Sequence, residues 1–113
     1  MVAEEQDRRV TAVNLQVKIE VSAWLTRYVG GSGGGRIYFT EEFTLGDSMQ
    51  TVVRRFTKRF PDLDHLLWDT ESGQLSAFVE IIVNDAFLGI SHTLDSEVKD
   101  GDMITLLPAW DGG

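Results

Sequence analysis

Hydrophobic and polar residues alternate most clearly near the start of the chain. Apolar side chains occupy every second position from Val13 to Val21, and polar or charged side chains stand between them. A period of two residues is typical of a β-strand with one face in a core and one in water. The next segment, residues 23–29, is apolar but short, and its spacing predicts a turn or a single helical turn.

A tract of low complexity follows at residues 30–35, with the sequence Gly-Gly-Ser-Gly-Gly-Gly. A phosphate-binding loop would need a helix after its glycines, and a Walker loop would also need a Lys-Ser/Thr pair. Residues 36–40 instead have the composition of a strand. We therefore interpret the tract as a flexible hairpin loop.

A second periodicity predicts an amphipathic helix in the middle of the chain. Thr44 is a suitable N-cap, and Asp47 stands where it can return the capping bond. Pro61 is expected to end the helix. Its apolar stripe is Leu45, Met49, Val52, Val53, Phe56 and Phe60. Four cations lie off the stripe, and they form either a solvated face or a basic patch: Arg54, Arg55, Lys58 and Arg59.

The rest of the chain predicts a short helix and three strands. The helix is expected at 62–68 and the strands at 78–83, 86–90 and 103–107. Turn residues precede the last two strands, and Pro108 prevents the final strand from continuing. This order of elements predicts a two-layer α+β domain with a helix crossover beside a small sheet.

Length, composition and charge narrow the classes of protein. The 113 residues suit one domain, and the absence of cysteine excludes disulfides, zinc–cysteine sites, iron–sulfur clusters and a cysteine nucleophile. A formal charge of −8 argues against nucleic-acid binding. No apolar run approaches the ~18 residues of a membrane span, and the acidic start does not resemble a signal peptide. We expect a cytoplasmic protein that binds neither nucleic acid nor membrane.

The sequence predicts no catalytic site and no metal site of its own. His65 and His92 lack the spacing of a metal pair. Glu41 and Glu42 are adjacent, so on a strand they would point to opposite faces and could not act as a carboxylate pair.

The end of the chain offers a different kind of chemistry. The tail residues are Pro108, Ala109, Trp110 and Asp111, followed by Gly112 and Gly113. Glycine lacks a Cβ atom, so two in succession can pass through a narrow channel. ATP could then activate the terminal carboxylate as an acyl-adenylate in a partner's active site, with this domain as its handle. A frayed end that happens to finish in glycine is the alternative.

Several segments resemble one family. Residues 101–109, with Gly112 and Gly113, resemble the C-terminal signature of the ThiS/MoaD sulfur carrier proteins, which have the ubiquitin-like β-grasp fold. Residues 78–85 resemble the family's central strand and turn, and residues 44–47 resemble the start of its helix. The similarity is greatest to the CysO type of carrier, which serves cysteine synthesis.

The resemblance implies a β-grasp domain over residues 12–108, with a small mixed sheet and one main helix on one face. Residues 1–11 are charged and are expected to form a flexible arm. Residues 109–113 are expected to form a flexible tail that ends in the two glycines. The longer arm, the glycine tract and the residues Trp110 and Asp111 depart from the family pattern, so the receiving pathway stays open.

The family's activity implies a carrier and not an enzyme. An E1-like adenylyltransferase of the MoeB/ThiF type would use ATP to adenylate the Gly113 carboxylate, and a sulfur donor would displace AMP to leave a thiocarboxylate. The carrier would bind no cofactor. Its sulfur could pass to a pyridoxal-phosphate cysteine synthase, after which a JAMM-type metalloprotease would release cysteine. The other acceptors are the large subunit of molybdopterin synthase and the thiazole of thiamine.

Two other functions stay open. The Gly113 carboxylate could instead form isopeptide bonds with lysines of target proteins, as in a ubiquitin-like modifier. Alternatively, the domain could be a non-covalent β-grasp interaction module whose two glycines are incidental.

Overall fold

Five strands form one mixed sheet in the computed structural model, which describes residues 15–109. The strands are β1 (Leu15–Val21), β2 (Ile37–Phe43), β3 (Val79–Val83), β4 (Ala86–Phe87) and β5 (Met103–Pro108). Their order across the sheet is β2-β1-β5-β3-β4. β1 and β5 are parallel, and the other neighbouring pairs are antiparallel. The predicted α+β class with a small mixed sheet is confirmed.

Three helical segments accompany the sheet. They are a 3-10 helix (Ala23–Val29), α1 (Met49–Thr57) and α2 (Pro61–Leu67). The core lies between the helices and one face of the sheet, since alternate residues of β1, β3 and β5 are buried together with one side of α1. Among the described residues, no helix is long and apolar enough to cross a membrane.

The central helix begins later than the sequence pattern predicts. Ser48 is its N-cap in place of Thr44, because the Ser48 hydroxyl accepts the Thr51 N–H at 3.1 Å. The predicted bond between the Asp47 carboxylate and the Thr44 N–H does form, at 3.0 Å, but it closes a turn ahead of the helix. Leu45 lies in that turn and is 81 % exposed, so it does not belong to the apolar stripe.

The same helix also ends earlier than predicted. α1 stops at Thr57, and Pro61 is the first residue of α2. A proline suits that position, because the N–H of a first helical residue has no partner within the helix. Phe60 still contributes to the core, since its ring packs 5.4 Å from the rings of Phe39 and Phe56.

The strand after the Asn-Asp turn is also shorter than predicted. β4 contains only two residues, Ala86–Phe87, and the expected continuation to Ile90 does not occur. Ile90 is 73 % exposed, so no burial of its side chain favours further pairing with β3.

The glycine tract is a loop, as predicted, but its first half is fixed to the 3-10 helix. The Thr26 carbonyl accepts the Gly31 N–H at 2.7 Å, and the Thr26 hydroxyl accepts the Gly33 N–H at 2.9 Å. Gly33 has a φ of 87°, which glycine adopts without strain. A Cβ atom on Gly31 would lie only 2.8 Å from Ile37 Cδ1, so this position has no room for a side chain.

Candidate functional site: the end of β5 and the tail

β5 leads to the predicted tail and is a central strand of the sheet. It pairs with β1 on one side, over the register Lys18↔Met103 to Val21↔Leu106. On the other side it pairs with β3, where Val79 lies opposite Pro108. Because both edges of the strand are bonded to neighbours, β5 provides a rigid base for whatever follows it.

The beginning of β5 is fixed by side chains as well. The Asn84 amide oxygen accepts the Met103 N–H at 3.0 Å, and its amide nitrogen donates to the Asp102 carboxylate at 3.2 Å. The buried Asp102 carboxylate also accepts the Lys99 N–H at 2.8 Å. These contacts join the turn before β5 to the turn after β3, so the start and the end of the strand are both held.

Pro108 is the last residue of β5 and is buried. Its missing N–H costs no ladder bond, because the neighbouring β1 ends at Val21 and the Ser22 carbonyl accepts the Leu25 N–H instead. The chain remains bonded for one more residue, since the Ala109 N–H donates to the Phe78 carbonyl at 3.0 Å. Pro108 and Ala109 therefore anchor the tail to the sheet.

Trp110, Asp111, Gly112 and Gly113 lie outside the described residues, as does the predicted arm at residues 1–11. The predicted roles of these residues stay predictions. Covalent geometry still limits the chemistry, because four residues extend at most about 14 Å from Ala109. An active site that receives the Gly113 carboxylate must therefore come close to the end of β5.

Two exposed aromatic residues flank the anchored end. Phe78, whose carbonyl binds Ala109, is 62 % exposed. Trp24 is 55 % exposed and belongs to the 3-10 helix, which starts beside β5 because the Ser22 N–H donates to the Leu106 carbonyl at 3.0 Å. Exposed aromatic side chains of this size suit contact with a partner protein. No pattern in the sequence assigned either residue to the site, although each stands at or next to the start of an element that adjoins β5.

The face of the sheet opposite the helices is open. It presents half-buried apolar side chains, among them Ile82, Met103 and Leu107, around one polar cluster. In that cluster Glu20 accepts a hydrogen bond from the Thr105 hydroxyl at 3.2 Å and forms an ion pair with Arg36 at 2.9 Å. Leu107 on this face directly precedes Pro108 and Ala109, so a partner bound to the face would lie beside the anchored end of β5.

The polar side chains that the sequence analysis considered for catalysis do not come together. His65 lies in α2 and His92 in the loop after β4, and residues 15–109 contain no group of three or more metal-ligating side chains. Glu41 and Glu42 lie on opposite faces of β2, as the period of the strand predicts.

Glu41 is nevertheless unusual because it faces the core. Its carboxylate is buried and lies 3.1 Å from the guanidinium of Arg59, just after α1, in an ion pair without hydrogen-bond alignment. Burial raises the pKa of Glu41, and the nearby Arg59 and Arg55 only partly oppose that effect. The guanidinium of Arg59 also lies over the rings of the Phe39, Phe56 and Phe60 cluster.

The chain resembles known proteins in sequence and in structure, although no family model matches it. It is 36 % identical over 69 residues to the sulfur carrier protein CysO of Mycobacterium tuberculosis, a match that covers 60 % of this chain and 74 % of that protein. The solution structure of small archaeal modifier protein 1 from Methanosarcina acetivorans superimposes with a TM-score of 0.67 at 21 % identity, over 88 % of this chain and 97 % of the other.

A third match comes from a complex. The structure of the BexX/CysO complex of Amycolatopsis orientalis superimposes with a TM-score of 0.59 at 28 % identity, over 80 % of this chain and 94 % of the matched chain. Together these likenesses confirm the predicted ubiquitin-like β-grasp fold.

Proposed function

The chain belongs to the family of the sulfur carrier protein CysO, and from this membership we propose that it carries sulfur as a thiocarboxylate on Gly113. The structural observation that supports the proposal is the anchored end of β5. Hydrogen bonds hold the chain as far as Ala109, and only four residues separate that anchor from the terminal carboxylate. Such an arrangement suits delivery of a reactive end into another protein.

The proposed loading reaction has two steps on a partner enzyme of the E1-like adenylyltransferase class. A carboxylate oxygen of Gly113 attacks the α-phosphorus of ATP, and pyrophosphate leaves. A sulfur donor then attacks the acyl carbon, and AMP leaves with the former carboxylate oxygen. The carrier supplies the acyl group and binds no cofactor of its own, so ATP is a substrate of the partner.

The residues before the two glycines set a limit on the partner's channel. Gly112 and Gly113 have no side chain beyond the α-carbon, whereas Trp110 is the bulkiest residue type and Asp111 is charged. A channel too narrow for a side chain can therefore enclose only the last two residues, about 7 Å of extended chain. Trp110 and Asp111 would meet a wider mouth of the channel.

The sulfur acceptor that we propose is a pyridoxal-phosphate cysteine synthase, followed by a metalloprotease of the JAMM type that releases cysteine. The identity of 36 % to a CysO protein supports this order over transfer to molybdopterin synthase or to thiazole formation. The CysO protein of A. orientalis crystallised in a complex with BexX, so a carrier of this family does bind a partner protein.

We expect the partners to dock on the open face of the sheet, next to the tail. That face presents apolar side chains, and two of them, Met103 and Leu107, belong to β5, the strand that ends in the anchored residues Pro108 and Ala109. The negative net charge of −8 would also speed the encounter with a basic partner surface.

Intact-mass spectrometry tests the loading reaction directly. The protein is incubated with a MoeB/ThiF-type adenylyltransferase, ATP and a sulfide source, with the M. tuberculosis CysO protein converted in parallel. Exchange of oxygen for sulfur should raise the mass by about 16 Da, and a chain that lacks Gly113 should not change. An unchanged mass beside a converted CysO control, with each adenylyltransferase that converts CysO, would contradict the proposal.

A ubiquitin-like modifier would give a different product. Chymotrypsin cleaves after aromatic residues, so an isopeptide bond from this chain would leave Asp111-Gly112-Gly113 on a target lysine. Such remnants in the producing cells would establish protein modification. A purely non-covalent module would instead retain its function after deletion of Gly113.

A further inference from the structure

β2 is an edge strand, and no other strand within residues 15–109 pairs with its outer side. It pairs with β1 along all of its seven residues, from Leu15↔Phe43 to Val21↔Ile37, and it is the first strand in the order of the sheet. The strand contains neither proline nor lysine, the residues that most often protect sheet edges from pairing. An edge of this length can accept another extended chain.

The side of β2 to which each backbone N–H and C=O group points can be inferred from the hydrogen bonds of β1. The Gln16 carbonyl accepts the Gly101 N–H at 2.8 Å, and the Lys18 N–H donates to the Asp102 carbonyl at 2.9 Å. The backbone groups of these residues therefore face β5, away from β2. In an antiparallel pair, the residues opposite them must then direct their own N–H and C=O groups outward. Those opposite residues are Thr40 and Glu42, and the alternation adds Tyr38.

One contact confirms this direction. The Glu42 carbonyl accepts a hydrogen bond from Arg55 Nη1 of α1 at 2.9 Å, on the side away from β1. The outward groups of Tyr38 and Thr40 have no hydrogen-bond partner from a turn, a loop or a helix within residues 15–109. The Arg55 side chain thus takes one hydrogen-bonding position on the outer side of β2, and the outward groups of Tyr38 and Thr40 are available to an incoming strand.

A groove of about 690 Å³ runs along this edge, between the end of β2 and α1. Its walls are formed by residues 40–44, which include Glu41 and Glu42, together with Gln16, Arg55 and Arg59. Both guanidinium groups are half exposed, so an incoming chain could contact them while it bonded to β2. A second pocket, which shares Arg55 with the groove, is lined by Lys58, a residue that forms no ion pair within the described part of the chain.

The cations around the groove indicate what kind of chain would bind there. The strongly acidic chain places four of its 10 cations at residues 54–59, in and just after α1, and within residues 15–109 only two carboxylates, those of Asp47 and Glu41, form ion pairs with them. Arg55 and Arg59 line the groove, whereas Lys58 lines the adjacent pocket together with Arg54, which lies over the Trp68 ring. We propose that this edge binds an extended acidic segment of a partner protein, which adds a sixth strand beside β2 and places carboxylates against Arg55, Lys58 and Arg59.

The buried Glu41 makes such pairing selective. A carboxylate that points into the core at a sheet edge discourages unspecific strand addition, because a chain that disturbed its ion pair with Arg59 would leave a charge unpaired. A partner strand with carboxylates on the α1 side can contact the exposed parts of Arg55 and Arg59 and leave the ion pair of Glu41 in place. This surface includes no tail residue, so it is independent of the proposed sulfur chemistry.

NMR titration of the full-length, ¹⁵N-labelled protein tests the proposal. The probe is the peptide acetyl-Thr-Glu-Val-Glu-Val-Glu-Thr-amide, in which strand alternation places the three glutamates on one face. Saturable binding tighter than about 1 mM is expected, with the largest amide shifts at Tyr38, Thr40 and Glu42. The same peptide with alternate amides N-methylated, and a peptide with lysine for glutamate, should not bind.

Matched variants separate strand addition from a general attraction of charges. Thr40→Pro removes an outward N–H without affecting the pairing with β1, and it should weaken binding at least about fivefold. Lys58→Glu should weaken binding about threefold to tenfold, whereas Lys18→Glu changes the net charge equally on the open face of the sheet and should have little effect. The β1 amide shifts verify that each variant is folded.

Other results would overturn the proposal. Absence of saturable binding below about 1 mM, or shifts centred on Met103 and Leu107, would contradict an acidic strand at β2. Shifts at Thr40 that depend on protein concentration without peptide would assign the edge to a second copy of the chain. Shifts at Thr40 on deletion of residues 1–11 would assign it to the chain's own N-terminal segment.

Discussion

Two carboxylates near α1 respond to acid in opposite directions. Burial raises the pKa of Glu41, with Arg59 and Arg55 opposing it. The hydrogen bond from the Thr44 N–H, followed by contacts with Arg55, lowers the pKa of Asp47. Asp47 therefore contributes stability above its unfolded pKa, which is lost as the pH falls through its folded pKa. Glu41 contributes stability at low pH, and that contribution is lost as the pH rises through its raised pKa.

Substitution of Glu41 by glutamine should isolate the second effect. The raised pKa means that folding disfavours the ionised carboxylate of Glu41. The native chain therefore loses stability as the pH rises above the unfolded pKa of Glu41, near 4.5, and Glu41→Gln abolishes this loss. The unfolding free energy of the variant, measured relative to the native chain by urea denaturation, should rise between about pH 4 and pH 7. A relative stability that falls over this range would contradict the assignment. Glu42→Gln on the exposed face is the control.

The start of α1 supplies a second prediction at single residues. The Ser48 hydroxyl caps the helix, whereas the Thr44 side chain makes no capping bond to it. Ser48→Ala should reduce the unfolding free energy by about 1 kcal/mol, and Thr44→Ala should change it by less than about 0.5 kcal/mol. Chemical denaturation of both variants measures the difference. Equal losses would indicate that the helix begins at Thr44 in solution.

The sequence alone could not choose between these two caps. Thr44 with Asp47 and Ser48 with Thr51 both have capping chemistry, and the first pair does form a hydrogen bond. The choice is made by a distant segment, because the N–H groups of Met49 and Gln50 bind the carbonyls of Ser96 and Leu94 at 2.7 and 2.9 Å. Local propensity contains no information about such long-range partners.

At the scale of elements, the periodic strands were predictable and the glycine loop was only partly so. The alternation from Val13 to Val21 specifies which face of β1 is buried, and Val17, Ile19 and Val21 are indeed in the core. A run of glycines, in contrast, does not indicate which of them will be packed against the rest of the domain. The fixed first half of the loop depends on the buried Thr26, whose backbone and side chain both bind glycine N–H groups.

Two alanine substitutions test this division of the loop. Gly31→Ala would bring its Cβ within 2.8 Å of Ile37 Cδ1 and 2.9 Å of Thr26 Cβ, so it should reduce the unfolding free energy by about 1–3 kcal/mol. A Cβ atom on Gly35 would meet no other atom within 4 Å, and the φ of Gly35 is not positive, so Gly35→Ala should be neutral or slightly stabilising. Thermal unfolding of both variants is the measurement. Two neutral variants would show that the whole tract is loose.

At the scale of the whole molecule, the stable domain and the reactive end should be separable. The last described bond of the chain to the domain is that of the Ala109 N–H to Phe78. Deletion of Gly112 and Gly113 should therefore shift the unfolding midpoint by less than about 2 °C while it abolishes sulfur loading. Differential scanning calorimetry and the intact-mass assay provide the two measurements. A large loss of stability would assign these glycines a structural role.

The family and its fold could be inferred from sequence, while much of the candidate site could not. The segment 101–109 has the composition of the family's last strand, and the structure places it at the centre of the sheet. The flanking aromatic residues Trp24 and Phe78 are distant from it in sequence. Their position beside the tail depends on the pairing of β5 with both of its neighbours, which a single sequence does not encode in any local pattern.

The parallel pairing of β1 with β5 has a consequence for synthesis of the protein. Glu20 and Thr105, which share a hydrogen bond, are 85 positions apart in the sequence. Contacts this distant make a high contact order, so the sheet closes only after nearly all of the chain has left the ribosome. A chain that ends at Asp102 lacks the central strand and should show no cooperative unfolding transition. Biosynthesis thus orders two events: the strand that completes the fold is translated directly before the segment that we propose accepts sulfur.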